Sequence, residues 1–115
     1  FSKSYFTYFC TSFFRQMHPE EFIQLQQSDS NLLFIDIREQ YEYDFENLGA
    51  KHIPLGEILN RLNEIPKNKP VVFHCQSGSR AEKMVAVLRS MGYEHVFNLI
   101  GGLEGFNSFR STQTA

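Results

Sequence analysis

The sequence predicts an α/β fold built on a parallel sheet, and three observations carry that prediction. Leu32 to Ile35 and Val71-Val72-Phe73 are continuous apolar runs, the pattern of strands buried on both faces. Amphipathic stretches alternate with them: Ala81, Met84, Val85 and Leu88 fall at i, i+3, i+4 and i+7. The length, 115 residues, suits a single domain. Strands alternating with helices imply a sheet covered on both faces.

Residues 1–16 read as an N-terminal extension. They hold seven aromatics (Phe1, Tyr5, Phe6, Tyr8, Phe9, Phe13, Phe14) among Ser, Thr and Lys. An edge strand, a partner-binding segment and an upstream fragment all fit them. A signal peptide fits poorly, because Ser and Thr interrupt its apolar core. The main domain is expected over residues 17–110, with 111–115 as a tail. Pro19, at a first helical position, starts a short helix carrying Phe22, Ile23 and Leu25. Ser28-Asp29-Ser30-Asn31 is a turn cluster ahead of the first apolar run. Tyr41, Tyr43 and Phe45 suit core packing, with the wall of a pocket as the alternative. Leu55, Ile58, Leu59, Leu62 and Ile65 mark a second amphipathic helix, ended by Pro66. Lys67-Asn68-Lys69-Pro70 is a solvated turn. The helix after the second run starts at Ser79, where Ser79 and Glu82 have capping-box spacing, and stops before Gly92.

Composition excludes several classes. A formal net charge of −2 argues against general nucleic-acid or anionic-membrane binding. No apolar run approaches the roughly 18–20 residues that span a bilayer. Two cysteines, Cys10 and Cys75, are too few for a disulfide framework and suit a reducing, cytoplasmic compartment. The four histidines show no ligand spacing with the cysteines, so no metal is expected.

The chemistry centres on His74-Cys75-Gln76-Ser77-Gly78-Ser79-Arg80. A buried strand delivers one cysteine into a tight loop capped by a helix N-terminus. N–H groups converge there and the helix dipole adds positive potential, which favours an anion. The thiolate is the nucleophilic form of cysteine. A cysteine ending a strand is also a common core residue. Small residues and an arginine, however, suit an anion cradle and serve packing poorly. Cys75 is thus the candidate nucleophile, with Gln76, Ser77, Gly78, Ser79 and Arg80 as candidate substrate-binding residues. Asp36 and Arg38 end the other buried strand, so they share a rim with Cys75. Two readings are open for Arg38: a second cation for an anionic substrate, or a structural ion pair with Asp36 or Glu42. His74 should alternate to the opposite sheet face and is left out of the catalytic set. Cys10 is either a resolving thiol or an ordinary residue of the extension.

This loop resembles the active-site loop of the rhodanese (sulfurtransferase) family, which begins with the catalytic cysteine and often ends in arginine. Leu33-Phe34-Ile35-Asp36-Ile37-Arg38-Glu39 resembles the family's strand and Asp-x-Arg signature. Gly49-Ala50-Lys51-His52-Ile53-Pro54 resembles its Gly-Ala-x-x-Ile-Pro turn. Val96-Phe97-Asn98-Leu99-Ile100-Gly101-Gly102-Leu103 resembles its last strand and Gly-Gly turn. The segment Glu46-Asn47-Leu48-Gly49-Ala50 is similar to rhodanese domains appended to activating enzymes of ubiquitin-like carriers. The resemblance implies a central parallel sheet of about five strands with helices on both faces. It also implies a relay in which Cys75 takes a sulfane sulfur from thiosulfate or a persulfide donor, holds it as a persulfide, and passes it to a thiophilic acceptor. Partners would then be a small anionic sulfur donor and a sulfur-donating or sulfur-accepting protein, with no cofactor. A cysteine phosphatase or arsenate reductase would need Cys-x5-Arg, whereas Cys75 and Arg80 form Cys-x4-Arg. A partner-binding module without catalysis is the other alternative, although such modules often lose the cysteine.

Overall fold

A computed structural model of the chain describes residues 16–29 and 31–114; Cys10 and the aromatic run of the extension lie outside the described residues. Five strands form one sheet: β1 (Gln16–Met17), β2 (Leu33–Asp36), β3 (Lys51–His52), β4 (Val71–His74) and β5 (Val96–Leu99). Their order is β1-β5-β4-β2-β3 and every neighbouring pair is parallel. Among the described residues four α-helices accompany them: α1 (Pro19–Ser28), α2 (Gln40–Phe45), α3 (Ser79–Ser90) and α4 (Gly102–Thr114). The α/β fold and five-stranded parallel sheet are as the sequence predicts.

Alternation along β4 explains the two-layered core. Val71, Phe73 and Cys75 pack with Ala81, Met84, Val85 and Leu88 of α3 on one face. Val72 packs with Phe22 and Leu25 of α1 and Phe106 of α4 on the other. Both faces of the central strand are therefore covered, which is why it reads as an unbroken apolar run. Pro19 opens α1 as expected, and Glu21 Oε1 accepts the His18 N–H at 2.9 Å, closing the helix N-terminus.

Several expectations need correction. Leu55 to Ile65 does not form an α-helix but two 3₁₀ segments, Leu55–Asn60 and Leu62–Glu64, broken at Arg61. The stretch is bounded by Pro54 and Pro66 and contains Gly56, Asn60 and Asn63, all weak helix formers. Leu55 with Ile58, and Leu62 with Ile65, pack at the three-residue spacing of a 3₁₀ turn. The capping box at Ser79 is absent. Gly78 is the N-cap, with φ 108°, so Ser79 is the first helical residue and Glu82 lies one position too far along. Tyr41 and Phe45 are not core residues but 74% and 90% exposed. Residues 111–114, read as a tail, continue α4.

Candidate active site

The register places the site. Asp36 at the end of β2 stands opposite His74 at the end of β4, and the Ile37 N–H donates to the His74 carbonyl at 3.0 Å. Both chains therefore leave the sheet on one rim, where open α/β sheets bind ligands. From there Cys75 enters a turn closed by α3. Its Sγ receives the Gly78 N–H at 3.1 Å and the Ala81 N–H at 3.4 Å. These donors come from the N-cap and the first turn of α3, so the sulfur faces the positive end of that helix. The residue is 1% exposed, and it is the free cysteine among the described residues.

Helix α4 braces the loop from the other side. The Leu103 and Glu104 N–H groups donate to the carbonyls of Cys75 and Gln76 at 2.8 and 3.1 Å. Gly102 sits so close that a Cβ there would run into the Cys75 carbonyl oxygen and meet Gln76 carbon at 2.8 Å. With φ at 58° it also occupies the left-handed region. The Gly101-Gly102 pair is thus a close approach of backbone to backbone, and that close approach fixes the loop carbonyls.

The two arginines of the rim are both engaged by carboxylates. Arg38 is buried; its Nε and Nη2 donate to Asp36 at 3.0 and 2.8 Å, and Nη2 also reaches the Glu46 carbonyl at 2.6 Å. Its Nη1 donates to Gln76 Oε1 at 3.0 Å, which ties the end of β2 to the residue after Cys75. A buried guanidinium is tolerated because its donors are satisfied in this way. The pairing of Arg38 with Asp36, one of the two readings open in the sequence, is present. Arg80 turns to α2, where Nη1 and Nη2 each meet a Glu42 carboxylate oxygen at 2.9 Å. Hydrogen bonding from Arg80 holds the Glu42 carboxyl down from 4.5 to about 2, against the opposing effect of burial. The same hydrogen bond raises the Arg80 pKa.

His74 lies on the opposite face from Cys75, against the Phe34 ring at 4.9 Å between centroids. Burial pushes its imidazole below 6.5, with Asp36 acting the other way. Gln76 bridges Arg38 and Glu104, its Nε2 donating to Glu104 Oε2 at 3.3 Å. Ser77 and Ser79 are exposed on the loop, while Gly78 is buried beneath it.

An open pocket of about 290 Å³ adjoins the loop. Tyr41, Phe45 and Leu103 line it with apolar surface, and Arg38, Glu42, Glu46 and Gln76 with polar groups. Sequence reasoning missed Glu42 as the Arg80 partner, Glu46 as a carbonyl ligand of Arg38, and Gly102 as a loop support. Only the last had a local signal, the tandem glycine. Among the described residues no helix is long and apolar enough to cross a membrane.

Comparison with known proteins agrees with this geometry. The model of the rhodanese-like domain family matches residues 18–109. YrkF of Bacillus subtilis, which bears the name of a sulfur carrier protein, is 36% identical over 85 residues, covering 73% of this chain and 46% of its own length. A tRNA uridine(34) hydroxylase of Buchnera aphidicola is 34% identical over 106 residues, covering 82% of this chain and 33% of its own. The chain therefore spans less than half of either relative. A rhodanese-like domain protein from Staphylococcus aureus superposes with a TM-score of 0.73 at 25% identity, covering 80% of this chain and 90% of that one.

Proposed function

Because this chain belongs to the rhodanese-like domain family, we propose that it is a sulfurtransferase working through Cys75. The observation that carries the reading is the pair of N–H groups, from Gly78 and Ala81, on the Cys75 Sγ at the start of α3. Donors already in place stabilise negative charge on sulfur without reorganising during reaction. They serve the thiolate first, and the loop amides from Gln76 to Arg80 then serve the outer sulfur of a persulfide.

The steps balance without a cofactor. The Cys75 thiolate attacks the outer sulfur of thiosulfate, a new S–S bond forms, and the S–S bond of thiosulfate breaks with sulfite leaving on the electron pair. A persulfide donor reacts in the same way and releases its own thiolate. A thiophilic acceptor, cyanide or a thiol, then attacks the outer sulfur and Cys75 departs as thiolate. No net electron transfer occurs, and a reducing cytoplasm keeps the thiol available. The six-residue loop, Cys75 to Arg80, is one residue short of a phosphate cradle, which favours sulfur over phosphoryl chemistry.

Intact-mass spectrometry after incubation with thiosulfate tests this. The expected result is a gain of one sulfur at Cys75, with thiosulfate:cyanide turnover, both absent in Cys75→Ser. Uptake that survives Cys75→Ser would sink the reading. So would hydrolysis of p-nitrophenyl phosphate by the unaltered chain that disappears in the same variant.

A further inference from the structure

The rim of the loop carries a surface that the sulfur chemistry alone does not use. Helix α2 has no fully buried side chain. Tyr41 and Phe45, at i and i+4, project from one side of it, 74% and 90% exposed. Both rings line the pocket that reaches Gln76, the residue after Cys75. Paired exposed aromatics of this kind mark contact surfaces rather than ordinary solvent-facing positions.

The charge around them has one sign. With Glu42 neutralised by Arg80, Glu39, Asp44 and Glu46 remain as carboxylates within eight residues, and residues 39–50 contain no lysine or arginine. Glu104 adds a carboxylate from α4, beside Gln76. The cations of the rim do not offset this, since Arg38 is held by Asp36 and Arg80 by Glu42. Arg110, further along α4, lies over the Phe106 ring.

We propose that the thiol partner of Cys75 is a basic protein segment with an apolar side chain, seated on Tyr41 and Phe45 beside the loop. Charge complementarity selects it: lysines or arginines flanking the reacting cysteine meet the acidic rim, and the apolar side chain covers the aromatic pair. A small dianion such as thiosulfate finds both guanidinium groups occupied. A second copy of this chain fits poorly, because a two-fold contact would set Glu39, Asp44 and Glu46 against their own counterparts. The partner's thiol loses its proton to water, and its thiolate attacks the outer sulfur of the Cys75 persulfide. The persulfide S–S bond breaks, Cys75 keeps the electron pair, and the sulfur leaves on the partner. The chemistry rests on the sulfurtransferase reading, but the docking does not.

The two are separated by measuring binding without reaction. The probe is a fluorescent peptide with one cysteine flanked by lysines and a leucine, titrated against the Cys75→Ser chain by anisotropy. A matched peptide with glutamates in place of the lysines is the control, and the unaltered, reduced chain is titrated in parallel. The lysine peptide should bind at least about tenfold tighter, less so at high salt; Asp44→Lys should erase most of the difference, and Phe45→Ser should weaken both peptides. Equal affinity for the two peptides, a preference untouched by Asp44→Lys, or binding untouched by Phe45→Ser would overturn the proposal. Dimers that dissolve on Phe45→Ser would overturn it too, by giving the face to a second copy. Failure of Cys75 to take up sulfur would remove the sulfurtransferase reading and leave the binding result to decide this one.

Discussion

Glu42 decides what Arg80 is free to do. Its two oxygens hold both terminal guanidinium nitrogens, so the arginine that ends the loop joins α3 to α2 across 38 residues of sequence. The spacing of Cys75 and Arg80 suggests a ligand for an anionic donor; with both terminal nitrogens on Glu42, we propose that the arginine acts instead as a brace. Arg80→Ala should therefore slow sulfur uptake from thiosulfate and from an uncharged persulfide by similar factors. A loss confined to thiosulfate would return Arg80 to direct contact with the donor. Acid stability gives an independent check. Since Glu42 is depressed to about 2 from 4.5, the pair's stabilisation is complete above 4.5 and is lost as pH falls towards 2. Arg80 is about a third exposed, so the pair contributes only about 1 kcal/mol after solvent screening. Glu42→Gln should lose that much at neutral pH in urea unfolding, and the gap to the unaltered protein should narrow as pH falls from 4.5 towards about 2. A gap that stays constant with pH would remove the ion pair as its cause.

Elements differ in how much of themselves they show in sequence. The 3₁₀ pair from Leu55 to Glu64 carries a stripe that fits an α-helix, but the packing obeys the shorter period. Ile58 is fully buried while Leu59 is 53% exposed, although both belong to the α-helical stripe. Ile58→Ala should cost about 2–5 kcal/mol in denaturant unfolding and Leu59→Ala within about 0.5 kcal/mol. Equal costs would mean that the α-helical reading had been right. Where burial is two-sided or the stripe is long, as in β4 and α3, local pattern suffices and the elements stand where the sequence predicts them. β1 and β3 are two residues each and exist only because β5 and β2 lie beside them, so no local pattern announces them. The six residues of α2 include none that is fully buried, so they carry no apolar stripe. With no stripe to orient them, Tyr41 and Phe45 read as core in the sequence, whereas they wall the pocket, the alternative that the sequence also left open.

On the scale of the whole molecule, the parallel sheet brings Asp36, Arg38 and Cys75 to one rim, and that much follows from two apolar runs and their last residues. The Arg38–Asp36 pair, two residues apart, is one of the readings open in the sequence, but the Arg80–Glu42 pair does not follow, because it depends on side-chain directions set after the layers have packed. The strand that carries Cys75 also carries a group that links this packing to pH. His74 ends β4, the middle strand of the sheet, and is fully buried. Its Nδ1 faces the Cys75 carbonyl at 3.2 Å, while Nε2 stands 3.4 Å from Asp36 Oδ2 without a hydrogen bond. Desolvation is the largest influence on the ring and lowers its pKa; Asp36 opposes it and Arg38 adds to it. The folded protein thus keeps His74 neutral where the unfolded chain, with the ordinary value of 6.5, accepts a proton. Its contribution to stability is complete above 6.5 and declines as pH falls below it, by at most about 1.4 kcal/mol per pH unit. Urea unfolding between about pH 7.5 and about pH 5.5 should show a steeper loss of stability in the unaltered protein than in His74→Asn, whatever the variant's absolute stability. Parallel pH profiles would mean that the imidazole takes its proton as readily inside the sheet as outside it.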